Sequence, residues 1–406
     1  MFFNIFINQY FWRVKRMKTI PVLSKREIKR FHKVPFTVYK NDENWIPHIK
    51  QEVEDVFDEK KNHLFRKGVA RRWILISDSG EDIGRISAFI DYRQSKKEKQ
   101  PTGGFGFFES INDKSAAFTL FDTARKWLED LDVQAMDGPI NFGERNKYWG
   151  LLIDGYDKPP IYGNAYQPSY YRELFEEYGF QVFFTQHMYE VVIQDPMKEV
   201  FSRKINHMNA RGEYSFRHIE LSKLSEYAED FRTVYNAAWQ THSSFKGISA
   251  ERALLIFKKM KMVIDEKLVW FVYHNSEPVA FMVSLPELNE IFKYVNGNLN
   301  LLGKIKFLFY KRFRKPQNAF AVVFGVVPKH QKNGVESLMM QEIKKALKNH
   351  TVQYKKMIIT WIGDFNPKMM HIVNILSDTP YQKLNTYRLL FDPNAEFERC
   401  EEVKGS

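Results

Sequence analysis

A polar loop between a buried strand and an amphipathic helix is the stretch of this sequence best suited to binding an anion. The apolar run Ala319–Val327 predicts a strand. Pro328 ends it, because proline has no N–H for strand pairing. Apolar residues then recur at helical spacing over 335–347. The first N–H groups of that helix have no partner within it, and its dipole adds positive potential, so this end of the helix predicts an anion site.

Three side chains of the loop fit such a site. Gln331 and Lys332 add hydrogen-bond donors, and Gly334 lets the backbone approach a ligand closely. The alternative is that the loop only connects the strand to the helix, since many strand–loop–helix units bind no ligand.

A second chemically rich segment runs from Met136 to Phe180, where aromatic, glycine and polar residues follow no regular period. Such a segment is either an ordered binding loop or a buried crossing between domains. Six of its residues are candidates for shaping a pocket for a substrate: Asn141, Glu144, Tyr148, Trp149, Asn164 and Tyr166. The alternative is that they only pack and cap loops.

Length, charge and cysteine content narrow the class of protein. A chain of 406 residues with 44% hydrophobic content predicts two domains with large cores. Its net charge of +12 favours an acidic partner, which leaves CoA, nucleic acid or an anionic membrane surface. The single cysteine, Cys400, rules out an internal disulfide framework and indicates a reducing compartment.

Several chemistries lack their sequence patterns. There is no His-Glu-x-x-His pattern and no thiolate cluster, so no metal is expected. The phosphate loop of P-loop enzymes and the serine elbow of hydrolases are also missing. No recognised nucleic-acid-binding module is present, so no nucleic acid is expected as a partner.

The amino-terminal run Met1–Trp12 is apolar, but positive charge follows it rather than precedes it. It therefore predicts neither a signal peptide nor a spanning helix, and Met17 is an alternative start. With no transmembrane helix predicted, we expect a cytoplasmic protein. The basic, apolar stretch Leu301–Lys315 carries no acid, so it either contacts an anionic membrane peripherally, at the inner membrane surface, or covers its own domain.

The same order of elements is predicted twice along the chain. In the first half, a strand at Arg71–Ser77, its hairpin partner Ile83–Ile90 and a strand at Gly104–Glu109 precede a helix at Asp113–Leu131. In the second half, a hairpin over 268–285 precedes the strand, loop and helix described first. A capping box at Ser24-x-x-Glu27 begins an earlier helix, and Pro35 is predicted to end it.

The loop motif resembles that of a known family. Val326-x-Pro328-x-x-Gln331-x-x-Gly334 is similar to the acyl-CoA pyrophosphate loop of the GCN5-related N-acetyltransferases (GNAT). Glu336 departs from the pattern, since the family usually has Gly or Ala there. The resemblance implies acetyl-CoA or a longer acyl-CoA as co-substrate. The implied CoA-binding residues are Val326, Val327, Gln331, Lys332, Asn333, Gly334, Val335 and Asn366.

A closer resemblance covers residues 20–392. Gly138-Pro139-x-Asn141, Gly150-Leu151-Leu152 and Phe365-Asn366-Pro367-Lys368 look like a bacterial tandem-GNAT subfamily related to proposed bacterial ceramide synthases. It implies an α+β fold of two tandem GNAT-like domains, each a twisted mixed sheet flanked by helices. We expect a degenerate GNAT-like domain at 17–195, which has no visible CoA loop and shapes the side where the acceptor binds. We expect a second domain at 205–395 that binds CoA.

Acyl transfer to an amine needs a base for the amine proton and a donor for the oxyanion. Candidate bases are Glu144, His330 and His371. The family's usual helix tyrosine is missing, since Val373 stands near that position, so Tyr381 or Tyr387 could substitute as the acid; a structural role is the alternative for either. The predicted catalytic residues are therefore Glu144, His371 and Tyr387.

The expected function is acyl-CoA-dependent N-acyltransfer to a small or lipid-like amine. Two alternatives stay open. One is a non-catalytic tandem-GNAT ligand-binding protein, motivated by Glu336 and the missing tyrosine. The other is an aminoacyl-tRNA-dependent transferase, which the basic charge would serve.

Overall fold

The structure is a computed structural model that describes residues 17–196, 214–240, 247–331, 334–350 and 353–403. The predictions for the chain before Met17, for most of the linker after Asp195, and for Lys332 and Asn333 lie outside these residues. No helix within the described ranges is long and apolar enough to cross a membrane.

Thirteen strands are described. They are β1 (Lys18–Pro21), β2 (Gly68–Ile76), β3 (Asp82–Asp91), β4 (Thr102–Ser110), β5 (Ala135–Gly138), β6 (Leu151–Asp154), β7 (Gln181–Val192), β8 (Tyr214–His218), β9 (Val269–His274), β10 (Glu277–Pro286), β11 (Asn318–Val326), β12 (Lys356–Gly363) and β13 (Pro380–Leu390).

The described helices are α1 (Lys25–Phe31), α2 (Val34–Val38), α3 (Lys50–Phe57), α4 (Tyr92–Ser95), α5 (Lys114–Glu129), α6 (Tyr171–Tyr178), α7 (Leu224–Trp239), α8 (Ala250–Met260), α9 (Asn289–Phe292), α10 (Leu301–Phe313), α11 (Val335–His350) and α12 (Pro367–Leu376). The predicted α+β class is confirmed.

All thirteen strands form one sheet in the order β1-β2-β3-β4-β5-β13-β7-β12-β11-β10-β9-β8, and β6 pairs with β13. The pairs β4/β5 and β11/β12 are parallel, and the other pairs are antiparallel. The two halves exchange strands, because β13 lies between β5 and β7 and β7 lies against β12. The sheet is therefore continuous across the predicted boundary between 17–195 and 205–395, and that division stays a prediction.

Local sequence signals account for the helices that frame the sheet. The capping box of α1 is confirmed, since the Ser24 N–H donates to the Glu27 carboxylate over 2.7 Å. The prediction for Pro35 was wrong. α1 ends at Phe31, and Pro35 lies in the first turn of α2, where a missing N–H costs no helical hydrogen bond.

The largest core cluster joins the two halves. It combines Tyr39, Tyr166 and Met188 of the first half with Phe281 and Phe320 of the second. The segment Met136–Phe180 supplies part of this contact, so it is a buried crossing between halves as well as a set of loops. One face of β10 and β11 packs in this shared core. The other face packs in a second hydrophobic core cluster, which lies under α11.

Candidate functional site

The parallel strands β11 and β12 separate partway along their length. They pair only from Asn318 with Lys356 to Ala321 with Ile359, although β11 continues to Val326. A β-bulge falls at the same place. Val283 and Ser284 of β10 lie opposite Val323 and Ala321, so Val322 of β11 has no residue of β10 opposite it. Beyond the bulge, backbone groups of β11 face away from β10 without pairing to β12. We call the region between the diverging strands the slot, where these backbone groups of β11 can hydrogen-bond with ligand amides.

The predicted anion loop opens at the end of this slot. A short 3-10 turn, Pro328–His330, follows Val327, and Gly334 with φ +76° immediately precedes α11. A left-handed φ favours glycine because it has no Cβ. The Gln331 side chain donates to the Val326 carbonyl over 3.0 Å and accepts from Lys368 Nζ over 2.9 Å. It therefore fastens the loop to β11 and to the first turn of α12.

The other predicted CoA residues take mainly backbone or supporting positions. Val326 and Val335 are buried in the core under α11, and Val327 borders the core shared with the first half. The Asn366 side chain accepts from the Met369 N–H over 3.1 Å and so caps α12. These residues shape the slot and the loop rather than present free side chains to a ligand.

Glu336 lies in the first turn of α11. A carboxylate there interacts favourably with the positive end of the helix dipole. It also adds negative charge where an anionic ligand would bind. The departure from the family pattern therefore falls directly at the predicted phosphate site.

His330 is tied into the protein. Its ring is buried and forms a 3.0 Å hydrogen bond with the Tyr214 hydroxyl. Burial, and next the neighbouring His274, lower the pKa of His330. Its position against the outer strands supports packing rather than the role of a base.

The three residues of the predicted catalytic set are not brought together. Tyr387 is fully buried in the core of the first half, where its hydroxyl donates to Glu176 over 3.2 Å, and β7 separates β13 from the slot. Its hydroxyl therefore lies away from the slot, and the assignment of Tyr387 as the acid stays a prediction. His371 is exposed on α12. Glu144 is exposed beside α7, where its charge adds to burial in raising the pKa of Tyr235.

The acceptor candidates divide into two groups. Asn164 donates to the Met188 sulfur over 2.9 Å, and the Tyr166 hydroxyl donates to the Asp42 carboxylate over 2.9 Å, so both side chains are hydrogen-bonded within the first half. Asn141 Oδ1 and Trp149 Nε1 are buried with no hydrogen-bond partner among the described residues. Those two retain hydrogen-bonding capacity for a ligand or water.

Tyr148 belongs to a cluster centred on Glu52. The Glu52 carboxylate accepts from the Tyr148 hydroxyl and from Lys147 Nζ, both over 3.2 Å, and from the Tyr162 hydroxyl. The His48 ring lies 4.4 Å from the Tyr148 ring, and burial lowers the pKa of His48 to about 3. Of this half-buried group of one acid, one amine, two phenols and a neutral imidazole, only Tyr148 was a candidate from sequence. Its members come from two distant segments.

Glu287 is the other functional candidate that sequence reasoning missed. It follows the last residue of β10 and is buried on the face shared with the first half. Its Oε1 accepts from the N–H groups of Tyr162 and Asn289, over 2.9 and 2.8 Å. Its Oε2 is buried with no partner among the described residues, and burial raises the pKa of Glu287 to about 8. A lone acid between Pro286 and Leu288 in an apolar run was the available signal.

The equivalent opening in the first half is filled by the chain itself. The Ile140 N–H donates to the Phe105 carbonyl over 2.7 Å, beyond the parallel pairing of β4 with β5. A Cβ at Gly106 would lie 1.9 Å from the Ile140 carbonyl oxygen, so the two segments are in close contact. The helix that follows, α5, is capped by Asp113, which accepts from the Ala116 N–H over 2.9 Å. This half offers no comparable slot and loop in its described residues.

Two halves with the same order of elements, one of them with splayed parallel strands and a glycine loop before a helix, define a tandem GNAT fold. Solved structures agree. A tandem GNAT protein from the clavulanic acid biosynthesis pathway matches with a TM-score of 0.53 and 9% identity, covering 93% of this chain and 100% of its own. The glucosamine N-acetyltransferase region of a fungal multi-domain beta-N-acetylglucosaminidase also gives 0.53 at 10% identity, over 92% of this chain and 38% of the fungal one.

The chain is also similar to two curated proteins. The bacterial ceramide synthase of Caulobacter vibrioides is 27% identical over 91% of this chain and 97% of its own length. Protein YghO of Escherichia coli is 24% identical over 90% of this chain and 93% of its own. No family model matches the chain. The fold is that of tandem GNAT proteins, and the resemblance to the subfamily related to bacterial ceramide synthases is confirmed.

Proposed function

We propose that the protein is an acyl-CoA-dependent N-acyltransferase that acts on a small or lipid-like amine. The observation that carries the proposal is the slot between β11 and β12, which leads directly into the Gly334 loop and the start of α11. The 27% identical ceramide synthase supports a long-chain amine as the acceptor. The proposal includes a cytoplasmic location, with peripheral contact at the inner membrane surface through residues 301–315.

The slot and loop suit the parts of an acyl-CoA. The pyrophosphate would lie against the loop from Gln331 to Gly334 and the first N–H groups of α11, with Lys332 and Asn333 beside it. The pantetheine amides would use the edge of β11 beyond Val322, and Asn366 would help to close the slot. Acetyl-CoA and longer acyl-CoA both fit this proposal, and no metal is required.

Glu287 is the base that we favour over Glu144 and His371. It lies three residues beyond the point of β10 that faces the bulge, about 10 Å along the strand, so the proton would have to pass along a chain of two or more water molecules. In the reaction, the amine nitrogen attacks the thioester carbonyl and the C–S bond breaks. The proposed carboxylate takes up the amine proton through that water chain, and the CoA thiolate leaves. A pKa of about 8 suits a base that works near neutral pH.

The acceptor would bind from the side of the first half. The Glu52 cluster reaches this side, because Tyr162 contacts Glu52 through its hydroxyl and Glu287 through its backbone N–H. The Glu52 carboxylate, which already accepts from Lys147, would accept a further hydrogen bond from the incoming amine. Asn141, Tyr148 and Trp149 keep their proposed role in shaping the pocket. Asn164 and Tyr166 would support its walls.

One observation favours a non-catalytic ligand-binding protein as the second candidate. Glu336 in the first turn of α11 adds a carboxylate where the CoA phosphates would bind. If that charge prevents CoA from binding, the slot would hold a different, uncharged ligand.

Calorimetric titration of the purified protein with CoA, acetyl-CoA and palmitoyl-CoA separates these candidates. The enzyme proposal requires binding of at least one thioester. It also requires release of CoA, detected by mass spectrometry, when a long-chain amine is added. Binding without release would favour the non-catalytic candidate, and no binding of any of the three would contradict acyl-CoA dependence.

A further inference from the structure

The surface of α10 carries an unusual concentration of exposed apolar side chains. Six large apolar residues of this one helix are between 51% and 75% exposed: Leu301, Leu302, Ile305, Leu308, Phe309 and Phe313. Their spacing brings all six to one side of the helix. The opposite side holds the helix on the protein through the buried residues Gly303 and Phe307.

Basic side chains accompany this apolar side. The stretch 301–315 contains six lysine and arginine residues and no acid. Lys304, Lys306 and Arg312 are exposed. By helical position, Lys304 lies on one flank of the apolar stripe and Lys306 on the other. Exposed apolar residues between flanking cations match the interfacial zone of a bilayer with anionic headgroups.

The end of α8 extends the same surface. Lys311 of α10 donates through Nζ to the carbonyl of Met262, which lies two residues beyond the end of α8 and is 60% exposed. Lys258, Lys259 and Lys261 lie next to Met262 in the chain and are exposed. Two elements therefore present apolar and basic groups together on this surface.

This surface is fastened to the acceptor side of the proposed site. The Phe307 ring stacks on Phe292, with centroids 5.2 Å apart, and Phe292 contacts the Tyr162 ring at 5.3 Å. The loop before α10 is bonded to the start of α3, where the Leu299 N–H donates to Gln51 over 3.0 Å. Gln51 precedes Glu52 in the chain. A bilayer that touches α10 would therefore lie near the Glu52 cluster.

We propose that α10 and the end of α8 form a docking surface for an anionic lipid bilayer, and that the amine acceptor reaches the Glu52 cluster from that bilayer. The route of the acceptor rests on the proposed acyltransfer, whereas docking does not. An anionic bilayer is favoured over a protein partner because the apolar stripe has cations on both flanks and no acid within it.

Vesicle flotation tests the docking surface with the full-length protein. The probes are phosphatidylcholine vesicles and vesicles of 70% phosphatidylcholine with 30% phosphatidylglycerol. One variant combines Leu302→Ser, Ile305→Ser and Phe309→Ser, and the other combines Lys304→Glu, Lys306→Glu and Arg312→Glu. Matched controls are Leu23→Ser, at an exposed leucine outside α10, and Lys96→Glu with Lys97→Glu in the exposed turn after α4.

We expect the wild-type protein and the controls to float with the anionic vesicles and each α10 variant to lose about tenfold or more in partitioning. Circular dichroism and CoA titration of the same variants report folding and the proposed function separately. Equal flotation of the wild-type protein and both α10 variants would overturn the proposal. Self-association of the wild-type protein in solution, measured by light scattering, would also overturn the proposal if the α10 substitutions abolish it.

Discussion

The buried carboxylate of Glu287 accepts a 2.9 Å hydrogen bond from the backbone N–H of Tyr162, which lies 125 residues earlier in the chain. The first half of the protein thus holds an acid of the second half in place. The same tyrosine reaches Glu52 through its hydroxyl. This contact connects the proposed base with the proposed acceptor side, so the two halves form the site jointly.

Replacing the proposed base should reduce turnover. We expect Glu287→Gln to keep the hydrogen bonds from Tyr162 and Asn289 but to lower kcat by about 10²- to 10⁴-fold, because the amide cannot take a proton. Glu290→Gln is the matched control, since that carboxylate also accepts two backbone N–H groups nearby. CoA release under saturating substrates measures both. Equal activity of the two variants would exclude Glu287 as the base.

The same residue should make stability depend on pH. Burial raises the pKa of Glu287 from 4.5 to about 8 in the folded protein. The folded state therefore favours the protonated acid, and its contribution to stability is lost as pH rises from 4.5 to about 8. We expect the free energy of unfolding to fall by up to ~1.4 kcal/mol per pH unit in that window, and less steeply in Glu287→Gln. Urea titrations at pH 5 and pH 8.5 measure the difference, and parallel profiles would contradict it.

Gly334→Asp should remove CoA binding. The aspartate would adopt a left-handed φ of +76° and add a carboxylate beside the phosphates. The strain costs about 1–2 kcal/mol, and the charge opposes the anion. Gly80→Asp is a close control, since Gly80 has φ +85° in an exposed turn with open space around it. Calorimetry should show at least about a tenfold loss for the first variant only. A similar affinity of the two variants for CoA would indicate that CoA binds elsewhere on the protein.

Tyr387→Phe should alter stability rather than catalysis. The Tyr387 hydroxyl donates to Glu176 within the first half, so its loss should cost about 0.5–1.5 kcal/mol and leave kcat unchanged. Thermal unfolding and CoA release measure the two effects separately. A large fall in kcat with an unchanged melting temperature would restore the role that the sequence predicted for this tyrosine.

Much of the site's second-half framework was predictable because its signals are local. The apolar run before Pro328, the glycine at 334 and the helical spacing after it all act within a few residues. Glu287 was overlooked, although an acid in an apolar run was visible. The Glu52 cluster was not predictable in the same way, since Glu52 and Tyr162 meet only through folding.

The sequence by itself determined the hairpins, the main helices, their repeated order and the loop at Gly334, because side-chain periodicity and backbone preferences operate between near neighbours. Only the tertiary structure decided that β13 enters the first half's part of the sheet and that β7 pairs with β12. That exchange buries Tyr387 away from the slot and brings Tyr162 to Glu287. Strand pairing between distant segments depends on the packing of the whole sheet, and no local period encodes it.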